Sequence, residues 1–138
     1  VAFQRFGPYH KARLRCAASY IPVVGLELGT LDDYTWQYEP GVGGVRTVTA
    51  FPGEDPNLIS ARRSRARLGE LISELNPSAV AVPGWGQRSA LSLFQCAKRA
   101  GVPTILMSDS TFHDSRRRPL IEVLPSLRKA SNHRLLSS

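Results

Sequence analysis

Apolar positions fall along the chain in short blocks whose spacing changes from helical to strand-like and back. Leu68, Leu71, Ile72 and Leu75 recur at i, i+3, i+4 and i+7, the stripe of an amphipathic helix. Start and stop signals place that helix from near Ser60 to Asn76-Pro77. Ala79 to Val82 follows as a continuous apolar strand that breaks at Pro83-Gly84. A second helix is predicted from about Arg88 to Ala100, with Ala90, Leu93, Phe94 and Ala97 on one face. Gly101 stands where a helix C′ residue belongs, and Pro103 follows two residues later. Thr104 to Met107 is another apolar strand, ending in Ser108-Asp109-Ser110-Thr111.

The first half repeats the theme less sharply. Val1 to Gln4 reads as a strand end, Phe6 to His10 as a loop broken by Gly7-Pro8, and Lys11 to Ser19 as a helix packing Ala12, Leu14, Ala17 and Ala18. Ile21 to Leu28 and Arg46 to Phe51 are strand candidates, separated by a loop-like stretch carrying Tyr34 and Trp36. Strands without alternation, joined through helices, imply parallel βαβ units buried on both faces. Two such units in sequence predict an α/β fold: a Rossmann-like, doubly wound, mostly parallel sheet. Ligands of such sheets bind beyond the carboxyl ends of the strands, which here are Gly7–His10, Pro83–Gly86 and Asp109–Asp114.

Composition bounds this picture. A chain of 138 residues with 42% hydrophobic and 21% charged side chains is sized and balanced for one folded domain. No apolar run reaches membrane-span length, and no basic-then-apolar leader opens the chain. The first residue is Val1 rather than Met, so the start reads as processed, cut or incomplete. Cys16 and Cys96 form no framework or C-x-x-C pair; both fall on predicted helices, where buried thiols in a reducing cytoplasm are expected. The net charge of +7 suggests a polyanionic partner until it is resolved along the chain. Residues 1–114 hold 12 basic and 10 acidic side chains, a balance of +2; residues 115–138 hold 6 basic and 1 acidic, or +5. A local cluster, Arg62, Arg63, Arg65 and Arg67, opens a helix where the macrodipole disfavours cations. It is either a solvated face or the seat of an external anion, such as lipid headgroups.

Several chemistries lose support. The G-x-G-x-x-G phosphate loop is absent after the first strand, and there is neither a Walker lysine motif nor a G-x-S-x-G elbow. His10, at the cleft end of the first helix, has the chemistry to hydrogen-bond a sugar hydroxyl or to act as a base near neutral pH; a helix-start histidine satisfied locally is the plainer alternative. Asp109, Ser110, Thr111, His113 and Asp114 make a polar cluster suited to capping a helix and touching a polar ligand, without the spacing of a metal site. Trp85 directly follows a core strand and offers a stacking face. No metal and no cofactor is expected.

Certain strings carry a family resemblance. Phe6-Gly7-Pro8-Tyr9-His10, Leu26-Glu27-Leu28 and Tyr34-x-Trp36 resemble the amino-terminal half of family-4-like (group 1) glycosyltransferases. Glu74-Leu75-Asn76-Pro77 leading into Val80 to Trp85, and Gly101-Val102-Pro103 leading into Leu106 to Thr111, add to it. The match spans residues 1–118; beyond it, 119–138 is a basic, weakly patterned tail that reads as a truncated or frame-shifted end. The resemblance implies one half of a GT-B architecture, the acceptor-binding domain of an enzyme transferring sugar from a nucleotide-sugar donor. His10 would then face the reaction, while Gly7, Pro8, Tyr9, Gly84, Trp85, Asp109, Ser110 and Thr111 line the acceptor side. The acceptor would be a sugar or lipid-linked sugar. The donor would be held mainly by a carboxy-terminal domain, and the isolated chain would turn over little. The expected place is the cytoplasm, with peripheral contact to an anionic membrane face left open. Two other classes remain: a stand-alone small-ligand or nucleotide-binding α/β module, and, last, a nucleic-acid binder driven by the basic tail.

Overall fold

In a computed structural model, residues 1–31, 39–84 and 86–107 are described. They form a mixed α/β unit compatible with a Rossmann-like fold. The order is β1 (Ala2–Phe3), α1 (Pro8–Ala18), β2 (Val24–Gly29), β3 (Arg46–Phe51), α2 (Ala61–Leu75), β4 (Val80–Pro83), α3 (Arg88–Arg99) and β5 (Thr104–Met107). Every pair among these strands is parallel: β1 with β2, β2 with β3, and β4 with β5. The strands are hydrogen-bonded as a sheet of three and a sheet of two, and β1 lies alongside β4.

The two sides of this arrangement differ. Ala2 and Phe3 are successive strand residues and point to opposite faces. Ala2 joins a core with Leu26 and Leu28 of β2, Leu68 and Leu71 of α2, Val80 and Val82 of β4, and Leu93 and Ala97 of α3. Phe3 joins a smaller cluster with Phe6, Leu14 of α1 and Val42. Helices α2 and α3 therefore cover one side and α1 the other.

Local chemistry explains the element ends. Ser60 caps α2 by accepting from the Arg63 amide at 3.3 Å, and Asn76 ends it in the left-handed region at φ 41°. Gly101, at φ 71°, stops α3 as its position predicts. The bounds of β3 and β5 coincide with the strands read from the sequence.

Other expectations need correction. Helix α1 starts at Pro8, not Lys11: the Gly7-Pro8 break is a helix start, with proline at N1, where a missing N–H costs nothing. Strand β2 begins at Val24, and Ile21 and Pro22 are exposed ahead of it. On α1, Leu14 is buried as expected, but Ala12 is exposed and Lys11 is buried in its place. Cys96 is buried, whereas Cys16 is exposed. Nor is β5 covered on both faces among the described residues, since Ile105 is 59% exposed.

Candidate crevice at the carboxyl ends of the strands

The loops after β1 and β4 leave neighbouring strands and meet: the Gln87 side-chain amide donates to Oε1 of Gln4. This contact joins residues 83 positions apart, at the strand ends where a ligand crevice is expected in such a sheet. Gly84 turns the chain out of β4 at φ 68°, a conformation L side chains rarely adopt. Gln87 is the N-cap of α3 but makes no side-chain cap bond, and its Oε1 is buried without a hydrogen-bond partner among the described residues.

The loop after β1 is held from beneath by Glu27, which sequence reasoning did not single out as functional. This carboxylate is 1% exposed, on the central strand of the three. Its Oε1 accepts the Phe6 amide at 2.8 Å, and its Oε2 accepts the Thr49 hydroxyl of β3 at 3.2 Å. Arg5 and Lys11 are buried as well. Lys11 donates from Nζ to the Glu39 carbonyl at 2.7 Å and lies 3.4 Å from its carboxylate. Burying a charge is costly unless it is paired or hydrogen-bonded, so Glu27 and Lys11 are positioned by their partners rather than by their own polarity. The only sequence signal was a charged residue inside an apolar strand, Leu26-Glu27-Leu28.

His10 sits at N3 of α1, stacked on Phe3 with centroids 4.3 Å apart and 21° between planes. Its Nδ1 lies 3.3 Å from the Gly7 amide and 3.0 Å from the Arg5 carbonyl. A bare Nδ1 accepts from Gly7; a protonated one donates to Arg5. Either way the ring braces the turn into the helix. Of the other expected site residues, Gly7 is the buried N-cap of α1, Pro8 is exposed at N1, and Tyr9 is 66% exposed with the Arg13 guanidinium 5.4 Å from its ring centroid. The structure thus brings Gly7, Pro8, Tyr9 and His10 to one helix start and Gly84 to the neighbouring loop. Trp85, Asp109, Ser110 and Thr111 lie outside the described residues, as do Tyr34, Trp36, His113 and Asp114.

At the far rim, the loop after β3 is tied to that after β2. The Glu54 carbonyl accepts from the Thr30 and Leu31 amides at 3.2 Å each, and Gly53 donates to the Thr30 hydroxyl at 2.7 Å. Gly29 permits this: a Cβ there would lie 2.5 Å from Pro56 Cδ and 2.6 Å from the Glu54 carbonyl. Both carboxylate oxygens of Glu54 accept from Arg63 at 2.5 and 2.7 Å, and this partner raises the Arg63 guanidinium above its ordinary pKa. Arg63 and Arg67 of the arginine cluster therefore have carboxylate partners, Glu54 and Glu70.

Among the described residues no group of three His, Cys, Asp or Glu side chains is placed to hold a metal ion, and no helix is long and apolar enough to cross a membrane. No model of a known protein family matches the chain, and no curated protein matches it either.

Proposed function

We propose that the chain is the acceptor-side half of a GT-B glycosyltransferase, a Rossmann-like, doubly wound domain whose crevice between the β1 and β4 loops receives a hydroxyl-rich acceptor. The placement of β1 beside β4, with β2 and β3 on one side and β5 on the other, supports the strand order 3-2-1-4-5. In that order the connections reverse direction between β1 and β4, where ligands of such sheets bind.

The observation that carries the reading is the start of α1. A nucleotide-binding domain of this type offers its first helix N-terminus to a pyrophosphate through free amides on a glycine-rich turn. Here Pro8 has no amide hydrogen to offer, and His10 Nδ1 stands 3.3 Å from the Gly7 amide, where a bare Nδ1 accepts it. Where the two loops meet, the side chains in contact are the uncharged amides of Gln4 and Gln87, chemistry that suits sugar hydroxyls better than phosphates. In the transfer, the acceptor oxygen bonds to the sugar's anomeric carbon as the bond to the nucleoside diphosphate breaks, and the acceptor loses a proton. The departing diphosphate needs positive charge or oriented amides. The expected source is the donor-binding half.

A titration of the isotopically labelled 138-residue chain tests this by nuclear magnetic resonance. Methyl glycosides of glucose, mannose and N-acetylglucosamine, at millimolar concentration, are expected to shift the Gly7, Gly84 and Gly86 amides. UDP-glucose and GDP-mannose are expected to add nothing beyond their sugar. Saturable shifts driven by UDP or GDP alone would favour a stand-alone nucleotide-binding module, and no response to any glycoside would overturn the assignment.

A further inference from the structure

On the outer surface, away from the crevice, α2 and α3 leave a groove of 440 Å³ lined by Arg65, Gly69, Ser73, Asn76, Cys96 and Arg99, among others. We infer that this groove binds a phosphoryl group, held between the guanidinium groups of Arg65 and Arg99. No acidic residue lines it, and neither arginine has a carboxylate partner among the described residues, unlike Arg63 and Arg67. Two like charges sharing one groove repel each other, and an anion between them relieves the repulsion. Arg99 by itself is what the carboxyl end of a helix favours, but Arg65, in the second turn of α2, has no such helix-end reason to be there. Two guanidinium forks, with the Ser73 hydroxyl and the Asn76 amide, supply more donors than a carboxylate's two oxygens need and match a tetrahedral phosphoryl group.

Cys96 reports on the site. Its Sγ lies 3.4 Å from the Arg65 carbonyl, as donor, on the wall of the groove. Burial pushes its thiol up in pKa, while the charges of Arg99 and Arg65 pull it down, so both cations act on this one point. Exposed Cys16, on α1, is an internal reference in the same molecule.

The test is alkylation of the full chain by iodoacetate, followed at each cysteine by mass spectrometry. Inorganic phosphate at 10 to 50 mM is compared with chloride of equal ionic strength. Phosphate is expected to slow reaction at Cys96 about tenfold, within the range by which focused charge changes encounter rates, and to leave Cys16 unchanged. Arg65→Gln with Arg99→Gln should abolish the protection, whereas Arg62→Gln, outside the groove, should keep it. Equal rates in phosphate and chloride, or protection that survives the double substitution, would overturn the inference. Glycerol phosphate and phosphatidylglycerol vesicles then separate the sources: protection by the first alone marks a soluble phosphate ester, and protection by vesicles marks a lipid headgroup.

Discussion

The two sides of the sheet follow different physical rules. Under α2 and α3 the buried side chains are mostly aliphatic, the polar ones among them being the uncharged Ser64, Ser89 and Ser92, and the helices lie where a 3.6-residue stripe puts them. On the α1 side the apolar cluster is small, and buried Arg5, Lys11 and Glu27 accompany it. One side is held by non-directional burial, the other by directed bonds between residues distant in sequence. Directed bonds fix a loop at particular atoms, which burial alone does not. The braced loop is the one after β1, which meets the loop after β4 through Gln4 and Gln87.

Substitutions on each side should therefore fail differently. Leu93→Ala, at a fully buried position in the aliphatic core, is expected to cost about 3–4 kcal/mol in urea unfolding, because a cavity adds to the lost transfer energy. Its loss should be global, with every amide destabilised together. Glu27→Ala is expected to cost less, about 2 kcal/mol, since it strands the Phe6 amide and the Thr49 hydroxyl. Its main effect should be local to the loop after β1. A loss at Glu27 larger than that at Leu93 would break the distinction. Ser60→Ala removes the α2 cap and should cost about 1 kcal/mol without touching the crevice amides. The smallest effect expected is at Cys96. Burial favours its neutral thiol, so its contribution to stability is intact below the unfolded thiol's pKa. That contribution fades as pH rises toward the higher folded value. Unfolding midpoints at pH 7 to 10, with and without Cys96→Ala, check this: the substituted chain should lose less stability across the range.

The same contrast decides what was legible in the sequence. The α2 stripe, the Gly101 stop and the limits of β3 and β5 were readable because each depends on neighbours within one turn or strand. The start of α1 was misread because Gly-Pro breaks a helix interior yet opens a helix equally well. Lys11 and Glu27 were not foreseen as buried, because their partners lie 28 and 21 or 22 residues away and no local periodicity encodes them. The cysteines divide likewise: Cys96 sits on a face pinned by Leu93 and Ala97, whereas α1 carries a weaker apolar pattern and leaves Cys16 in solvent. The position of Gly7, Tyr9, His10 and Gly84 in loops at strand ends was legible from the sequence, but the Glu27 carboxylate that holds the Phe6 amide was not.

The central claim is that a buried carboxylate holds the crevice loop in place, and hydrogen exchange at one amide tests it directly. In the native chain the Phe6 amide should be protected by its 2.8 Å bond to Glu27. In Glu27→Ala it should exchange roughly tenfold faster than global destabilisation explains, the equivalent of one net hydrogen bond, while Leu26 and Val48 follow the global rate. A Phe6 amide that exchanges no faster than Leu26 and Val48 in that variant would contradict the claim.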